Sequence, residues 1–243
     1  MKMKDKKAAQ IEGKQKHLAE LATVKARRRA EPSLERVAPT KTEKPTILIV
    51  CEGKNTEPSY FRQFKLTSAT IKAIGNGFNT ISLVKEAIKY SKKKKVSGNL
   101  MYDKVWCVFD KDDFSDNDFN RAIKFAKKNK LEVAYSNQAF EYWLILHFKD
   151  HQGGGMNRNE YDKTINDYIN PLGSTYDGEG SKTVSEDFFE ILDGIDKATK
   201  RPRINLAISR AKRNYNLLTH ASPATEESST TVFKLVEEIL KFV

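Results

Sequence analysis

Cysteine is scarce in this chain: 243 residues hold two, Cys51 and Cys107. Each sits inside an apolar run, where a free thiol packs as a small hydrophobe. Two such thiols exclude a disulfide framework and suit a reducing compartment. Long apolar stretches are missing too. No segment approaches the ~20 apolar residues needed to span a bilayer, and the basic N-terminus is not followed by the apolar block of a secretory signal. The expectation is a cytoplasmic protein with no membrane partner. No G-x-x-x-x-G-K-[ST] loop occurs either, so a step driven by ATP hydrolysis would have to borrow a partner's ATPase. No internal repeat is found.

Acidic residues are the minority charge, 32 Asp and Glu against 43 Lys and Arg. The imbalance is local: residues 1–45 carry 13 Lys and Arg against 6 acids, which is +7 of the total +11 and leaves +4 for the other 198 residues. Residues 1–45 read as a basic arm and linker. Ile11, Leu18, Leu21 and Val24 could form the thin apolar seam of a helix, and the same composition fits a mobile arm. The cluster Lys25 to Arg29 fits a phosphate-backbone contact or a solvated tail equally well. Pro32, Pro39 and Pro45 then discourage any continuous element.

What is present begins at Ile47. The run Ile47-Leu48-Ile49-Val50-Cys51 ends in Glu52-Gly53-Lys54-Asn55-Thr56-Glu57, and Val105-Trp106-Cys107-Val108-Phe109 ends in Asp110-Lys111-Asp112-Asp113. Apolar runs without polar alternation read as central strands of a sheet covered on both faces. Ligands of such sheets gather at the carboxyl ends of the strands. Both ends here deliver acids, and a shared divalent metal is the simplest purpose. Mg²⁺ prefers hard oxygen ligands and is commonly held by one or two carboxylates. Asp110 and Asp112 share a face of an extended chain. Glu52 could complete the shell or act as general acid or base at a scissile phosphate.

Other candidates are weighed in the same way. Glu57 fits a first-turn helix carboxylate and a second-metal ligand equally. Glu141 lies between Phe140 and Tyr142-Trp143-Leu144, where a charge is costly unless paired or metal-bound. Gly53 allows close backbone approach or a tight turn. Asp113 and Asp116 read as turn or cap residues, Lys54 and Lys111 as charge balance, and His147 as a helix-end histidine or an orienting group. Arg201, Arg203, Arg210, Lys212 and Arg213 form a basic surface that fits nucleic-acid tracking or a solvated helix face.

The element order is strand and helix in alternation, with strands near 47, 70, 105 and 132. Helices are expected from Glu57, over 80–94, 119–129 and 140–148, and then over 161–169, 184–195, 203–219 and 229–242. That order predicts an α/β fold with a mainly parallel sheet flanked by helices, a helical C-terminal part and the basic N-terminal arm. One domain over 46–243 is expected, interrupted by a loop near 149–182 that is rich in glycine and asparagine.

Three motifs carry a resemblance: VCEGKNTEPSYF at 50–61, VFDKDDF at 108–114 and SNQAFEYWLILHF at 136–148. Together they resemble the RloB-like family of Toprim-fold proteins, found beside restriction genes and in abortive-infection systems of bacteria. The resemblance implies a Toprim-like core and assigns Glu52, Asp110 and Asp112 to metal-dependent phosphodiester chemistry with Mg²⁺ or Mn²⁺. It adds Glu141 through F-E-x-W-L, with Glu57 or Glu141 available to a second metal, and makes the 149–182 loop a cover over the site. It further implies an endonuclease acting on RNA, tRNA or DNA in defence against phage, with a partner ATPase of the ABC type. A non-catalytic subunit that binds nucleic acid or a partner protein, and another Toprim phosphotransfer activity, are the alternatives.

Overall fold

The computed structural model describes residues 2–29 (side chains 11–25), 45–73, 80–111, 114–151 and 155–243. The chain divides into two units, Met1–Glu43 and Lys44–Val243. In the first, α1 (Lys2–Arg29) is one helix on which Ile11, Leu18, Leu21 and Val24 are exposed. The Pro32 and Pro39 linker lies outside the described residues, as do Asp112, Asp113 and the Gly153-Gly154 pair.

The second unit is built on four parallel strands, β1 (Ile47–Cys51), β2 (Ala69–Ala73), β3 (Lys104–Asp110) and β4 (Glu132–Ser136), in the order β2-β1-β3-β4. The two acid-ended runs are therefore the central strands and hydrogen-bond to each other, with Ile47 opposite Lys104 and Cys51 opposite Val108. Their unbroken apolar character has a direct cause. Ile47, Ile49, Cys51, Trp106 and Val108 enter one core layer, and Leu48, Val50, Val105, Cys107 and Phe109 the other, so no position faces solvent. The two cysteines lie on opposite faces of the sheet.

Two helices cover the second layer. Helix α3 (Thr80–Ser91) buries Leu83, Val84 and Ala87, and α4 (Asp116–Lys128) buries Phe119, Ala122, Ile123 and Ala126. Helix α3 stops three residues short of its expected end at Lys94, because 92–100 turns back and bridges Lys94 to Leu100. Helix α4 starts three residues before its expected start. Ser115 caps it by accepting the Asp118 N–H at 3.2 Å, and Asp116 and Asp118 sit against its positive end. Asp116, expected as a turn or cap residue, is instead the first residue of the helix, next to the Ser115 cap.

The first layer holds α2 (Thr56–Arg62), α5 (Glu141–Ile145), α6 (Tyr161–Ile169), α7 (Glu186–Asp193), α8 (Arg203–Asn216) and α9 (Val232–Ile239). Helix α9 begins later than its apolar pattern suggested. The residues before it are spent on the sheet: Asn137 N–H donates to Ser229 O and Thr231 N–H to Tyr135 O, each at 2.7 Å, which closes part of the β4 edge. Among the described residues no helix is long and apolar enough to cross a membrane.

Candidate active site

The site stands at the carboxyl ends of β1 and β3. Glu52 follows β1 directly, and its N–H donates to Val108 O at 2.9 Å, extending the β1–β3 pairing by one residue. Asp110 is the last residue of β3. Its Oδ2 accepts the Phe140 N–H at 3.0 Å and so ties the start of α5 to the strand end. Its Oδ1 is shielded from solvent and has no hydrogen-bond partner among the described residues.

Glu57 lies in the first turn of α2 and is only 5% exposed. It turns back over Gly53, whose N–H donates to Glu57 Oε1 at 3.3 Å. A Cβ at position 53 would collide with that carboxylate, so this glycine is needed for its missing side chain. Glu141, in the first turn of α5, accepts a hydrogen bond from the Tyr176 hydroxyl at 2.7 Å, and the same hydroxyl lies 3.2 Å from Thr56 Oγ1.

Glu52, Glu57, Asp110 and Glu141 line one cavity of about 340 Å³. Their mutual repulsion has measurable consequences. Burial, and then the charge of Glu57, push Glu52 up to about 8. Burial and the charge of Glu141 raise Glu57 to about 7, against the pull of the Gly53 N–H and of Lys182. Asp110 is raised well above the ordinary range, first by burial and then by Glu57, Glu141 and Glu52. Buried acids that raise one another's pKa lack positive charge at the floor of the cavity. The cations Lys54, Arg158 and Lys182 line the same cavity, and all three are solvent-exposed. The cavity thus has an acidic floor and a basic rim.

Of the residues singled out from the sequence, the structure brings Glu52, Glu57, Asp110, Glu141, Gly53 and Lys54 together. Asp112 lies outside the described residues. Both alternatives for Glu57 meet in one place, since it is a first-turn residue and also lines the cavity. Lys111 pairs with Asp116 at 3.2 Å. His147 is not in the cavity: it is buried against Trp143 and Tyr60, and its Nδ1 lies 3.1 Å from Trp143 O. The basic residues of α8 are largely engaged within the fold. Arg210 donates to Leu146 O at 2.8 Å, Arg213 pairs with Asp150 at 2.6 Å and Lys212 with Glu237 at 3.2 Å.

Thr56, Tyr176, Arg158 and Lys182 were not anticipated. All but Thr56 come from the 149–182 segment, whose glycines and asparagines marked it as a loop without showing which side chains it returns to the sheet. From this segment Arg158 and Lys182 line the cavity, and Tyr176 reaches it through its hydrogen bond to Glu141.

The residues present fit a hard divalent cation. The donors are all carboxylate oxygens, one of them the unpartnered Asp110 Oδ1, and Mg²⁺ needs only one or two such ligands because it retains waters. Among the described residues, no three His, Cys, Asp or Glu side chains converge closely enough to hold an ion by themselves.

An all-parallel α/β sheet whose two central strands end in carboxylates facing a shared cavity defines an α/β protein with a strand-end acidic site. Within that class, the family model for RloB-like proteins matches residues 47–239, from the first residue of β1 to the last of α9, and the chain belongs to that family. Searches of curated proteins and of solved structures returned no significant match.

Proposed function

We propose that this protein is a metal-dependent endonuclease that cleaves phosphodiester bonds of RNA, tRNA or DNA at the acidic cavity. One observation carries the reading: four carboxylates, Glu57 buried and Glu52, Asp110 and Glu141 partly so, gather in one cavity with Asp110 Oδ1 unpartnered and exposed cations at its edge. An acidic floor suits a cation, and a basic rim suits the phosphate that shares it. Bound Mg²⁺ or Mn²⁺ would supply charge neutralisation and polarisation of that phosphate.

The chain's own residues divide the remaining work. Asp110 presents oxygens from the end of β3, Glu52 from the residue after β1, and Glu57 and Glu141 from the first turns of two helices, while Asp112 is the further ligand that the family resemblance implies. Glu52 is the general base in this reading, a carboxylate at the end of β1 that faces the same cavity as Asp110. It takes the proton of a water whose oxygen bonds to phosphorus as the bond to the leaving ribose oxygen breaks, and passes that proton, through water, to the leaving oxygen.

The setting proposed with it is the one the family resemblance implies: defence against phage by abortive infection, in the cytosol, under control of a partner ATPase of the ABC type. The missing phosphate-binding loop supports a borrowed ATPase.

The test is cleavage of plasmid DNA, single-stranded DNA and total tRNA in Mg²⁺, Mn²⁺ or EDTA, with and without the neighbouring ATPase. Cutting should be EDTA-sensitive, and Glu52→Gln and Asp110→Asn should each lower it by about 100-fold or more. Cutting that survives both substitutions, or none on any substrate with the ATPase present, rules the reading out. Retained partner binding in the latter case would identify a non-catalytic subunit.

A further inference from the structure

We propose that Lys182 is the substrate-phosphate ligand of this cavity, carried there by a strap, Tyr176 to Val184, that is built to present it. The inference rests on the cation-dependent phosphodiester reading above and names a basic group that lines the cavity with the carboxylates.

The strap is held at both ends and at its middle. Asn166 of α6 brackets Tyr176, its Oδ1 accepting the Tyr176 N–H at 2.9 Å and its Nδ2 donating to Tyr176 O at 2.7 Å. Asp162, also of α6, accepts the Gly178 N–H at 2.8 Å. Asp177 closes the central turn by accepting the N–H groups of Gly180 at 2.7 Å and Ser181 at 2.8 Å, while its carbonyl accepts the Lys182 N–H at 2.8 Å. At the far end Val184 N–H donates to Ser59 Oγ at 2.8 Å, and Val184 O accepts from Gln63 Nε2 at 3.1 Å, both on or beside α2. An exposed turn is thereby fixed against the two helices that flank the site.

Lys182 sits in this turn at φ +49°, a left-handed conformation that Lys65, Lys130 and Lys200 also adopt. Glycine would fit the backbone better. The side chain stands beside the acids: it lines their cavity, and Lys182 is the cation that draws down Glu57. It forms no ion pair with any described carboxylate. It also lines a second cavity of about 170 Å³ that shares Ala139, Glu141 and Arg158 with the first. Lys182 thus stands on the boundary between two adjoining spaces. A phosphodiester chain crossing that boundary would place one phosphate over the carboxylate floor and the next beyond it. Lysine binds phosphate as a mobile point charge and needs no fixed geometry to do so.

Lys182→Gly and Lys182→Arg provide the test. Glycine relieves the left-handed backbone and keeps the fold, and arginine keeps the charge. Binding of fluorescein-labelled single-stranded RNA and DNA oligonucleotides is read by anisotropy in Ca²⁺, and divalent-cation binding by the rise in melting temperature with Mg²⁺. The expected result is oligonucleotide affinity weakened about tenfold in Lys182→Gly and about twofold or less in Lys182→Arg, with a flatter salt dependence in the glycine variant and an undiminished Mg²⁺ shift. Unchanged oligonucleotide affinity in Lys182→Gly, an equal loss in both variants, or no oligonucleotide binding by the wild type overturns the assignment while leaving the cation site standing. A Mg²⁺ shift lost together with oligonucleotide binding makes Lys182 a structural counter-charge and also overturns it. Absence of any Mg²⁺ or Ca²⁺ shift in the wild type removes the cation reading, and this assignment with it.

Discussion

At the scale of the residue, the site depends on two small features of covalent structure. Gly53 lacks a side chain where Glu57 folds back, so a methyl group there meets the far end of a flexible carboxylate and not the backbone. Gly53→Ala should therefore leave thermal stability within about 1 kcal/mol of wild type and lower cleavage by about 100-fold through displacement of Glu57. Melting curves and initial rates on one preparation check both halves. The second feature is the Tyr176 hydroxyl, which reaches Glu141 and Thr56 at once. Tyr176→Phe should weaken the Mg²⁺ dependence of cleavage by about 10-fold to 100-fold, as removal of a partner that orients a ligand does. An unchanged Mg²⁺ titration would show that Glu141 is held by its helix alone. Glu52, Asp110, Glu57 and Glu141 could all be picked out from sequence, because an acid that ends or interrupts an apolar run is conspicuous. Tyr176 could not. It is separated from Thr56 by 120 positions, and nothing around it distinguishes it from a core tyrosine.

At the scale of the element, strands were the most legible part of the chain and helix ends the least. Continuous apolar runs leave no ambiguity for β1 and β3, since both of their faces are buried. Helix boundaries moved wherever a neighbour competed for the backbone, as at Thr230 and Thr231, whose groups bond to β4 instead of starting α9. The basic stretch of α8 shows the same limit. Its periodic cations suit a nucleic-acid surface, yet Arg210 reaches the Leu146 carbonyl just beyond α5 and Arg213 grips Asp150. Arg210 has a structural task, to satisfy an unpaired carbonyl at the end of the helix that carries Glu141. Arg210→Ala should lower stability by about 1–2 kcal/mol and change oligonucleotide affinity by less than about twofold. A large affinity loss at unchanged melting temperature would restore the nucleic-acid role.

At the scale of the whole molecule, the buried acids and the buried histidine set opposite limits on stability. Glu52 and Glu57 are raised to about 8 and about 7, above the ordinary 4.5 of an unfolded glutamate. A raised folded pKa contributes stability that is complete below the unfolded value and is lost as pH climbs through the folded one. His147 is lowered by burial to about 3 from 6.5, so its contribution is present above 6.5 and lost as pH falls toward the folded value. In EDTA the protein should therefore lose stability as pH rises from about 5 to about 8, because the two glutamates outweigh the one histidine where their ranges overlap. Added Mg²⁺ should flatten that decline, because cation ligands must be deprotonated. Melting temperatures from pH 5 to pH 9 with EDTA or Mg²⁺ measure this, and equal slopes in the two series would contradict a cation bound by these carboxylates. By itself the sequence determined the α/β alternation, the two central strands and the acids at their ends, because burial on both faces of a sheet and the abrupt change to carboxylate are local patterns. Only the tertiary structure decided the strand order that sets β1 beside β3, the return of Glu57 over Gly53, and the strap that carries Tyr176 to Glu141 and Lys182 to the cavity. Those depend on contacts between residues far apart in the chain, which no local pattern of hydrophobicity or charge encodes.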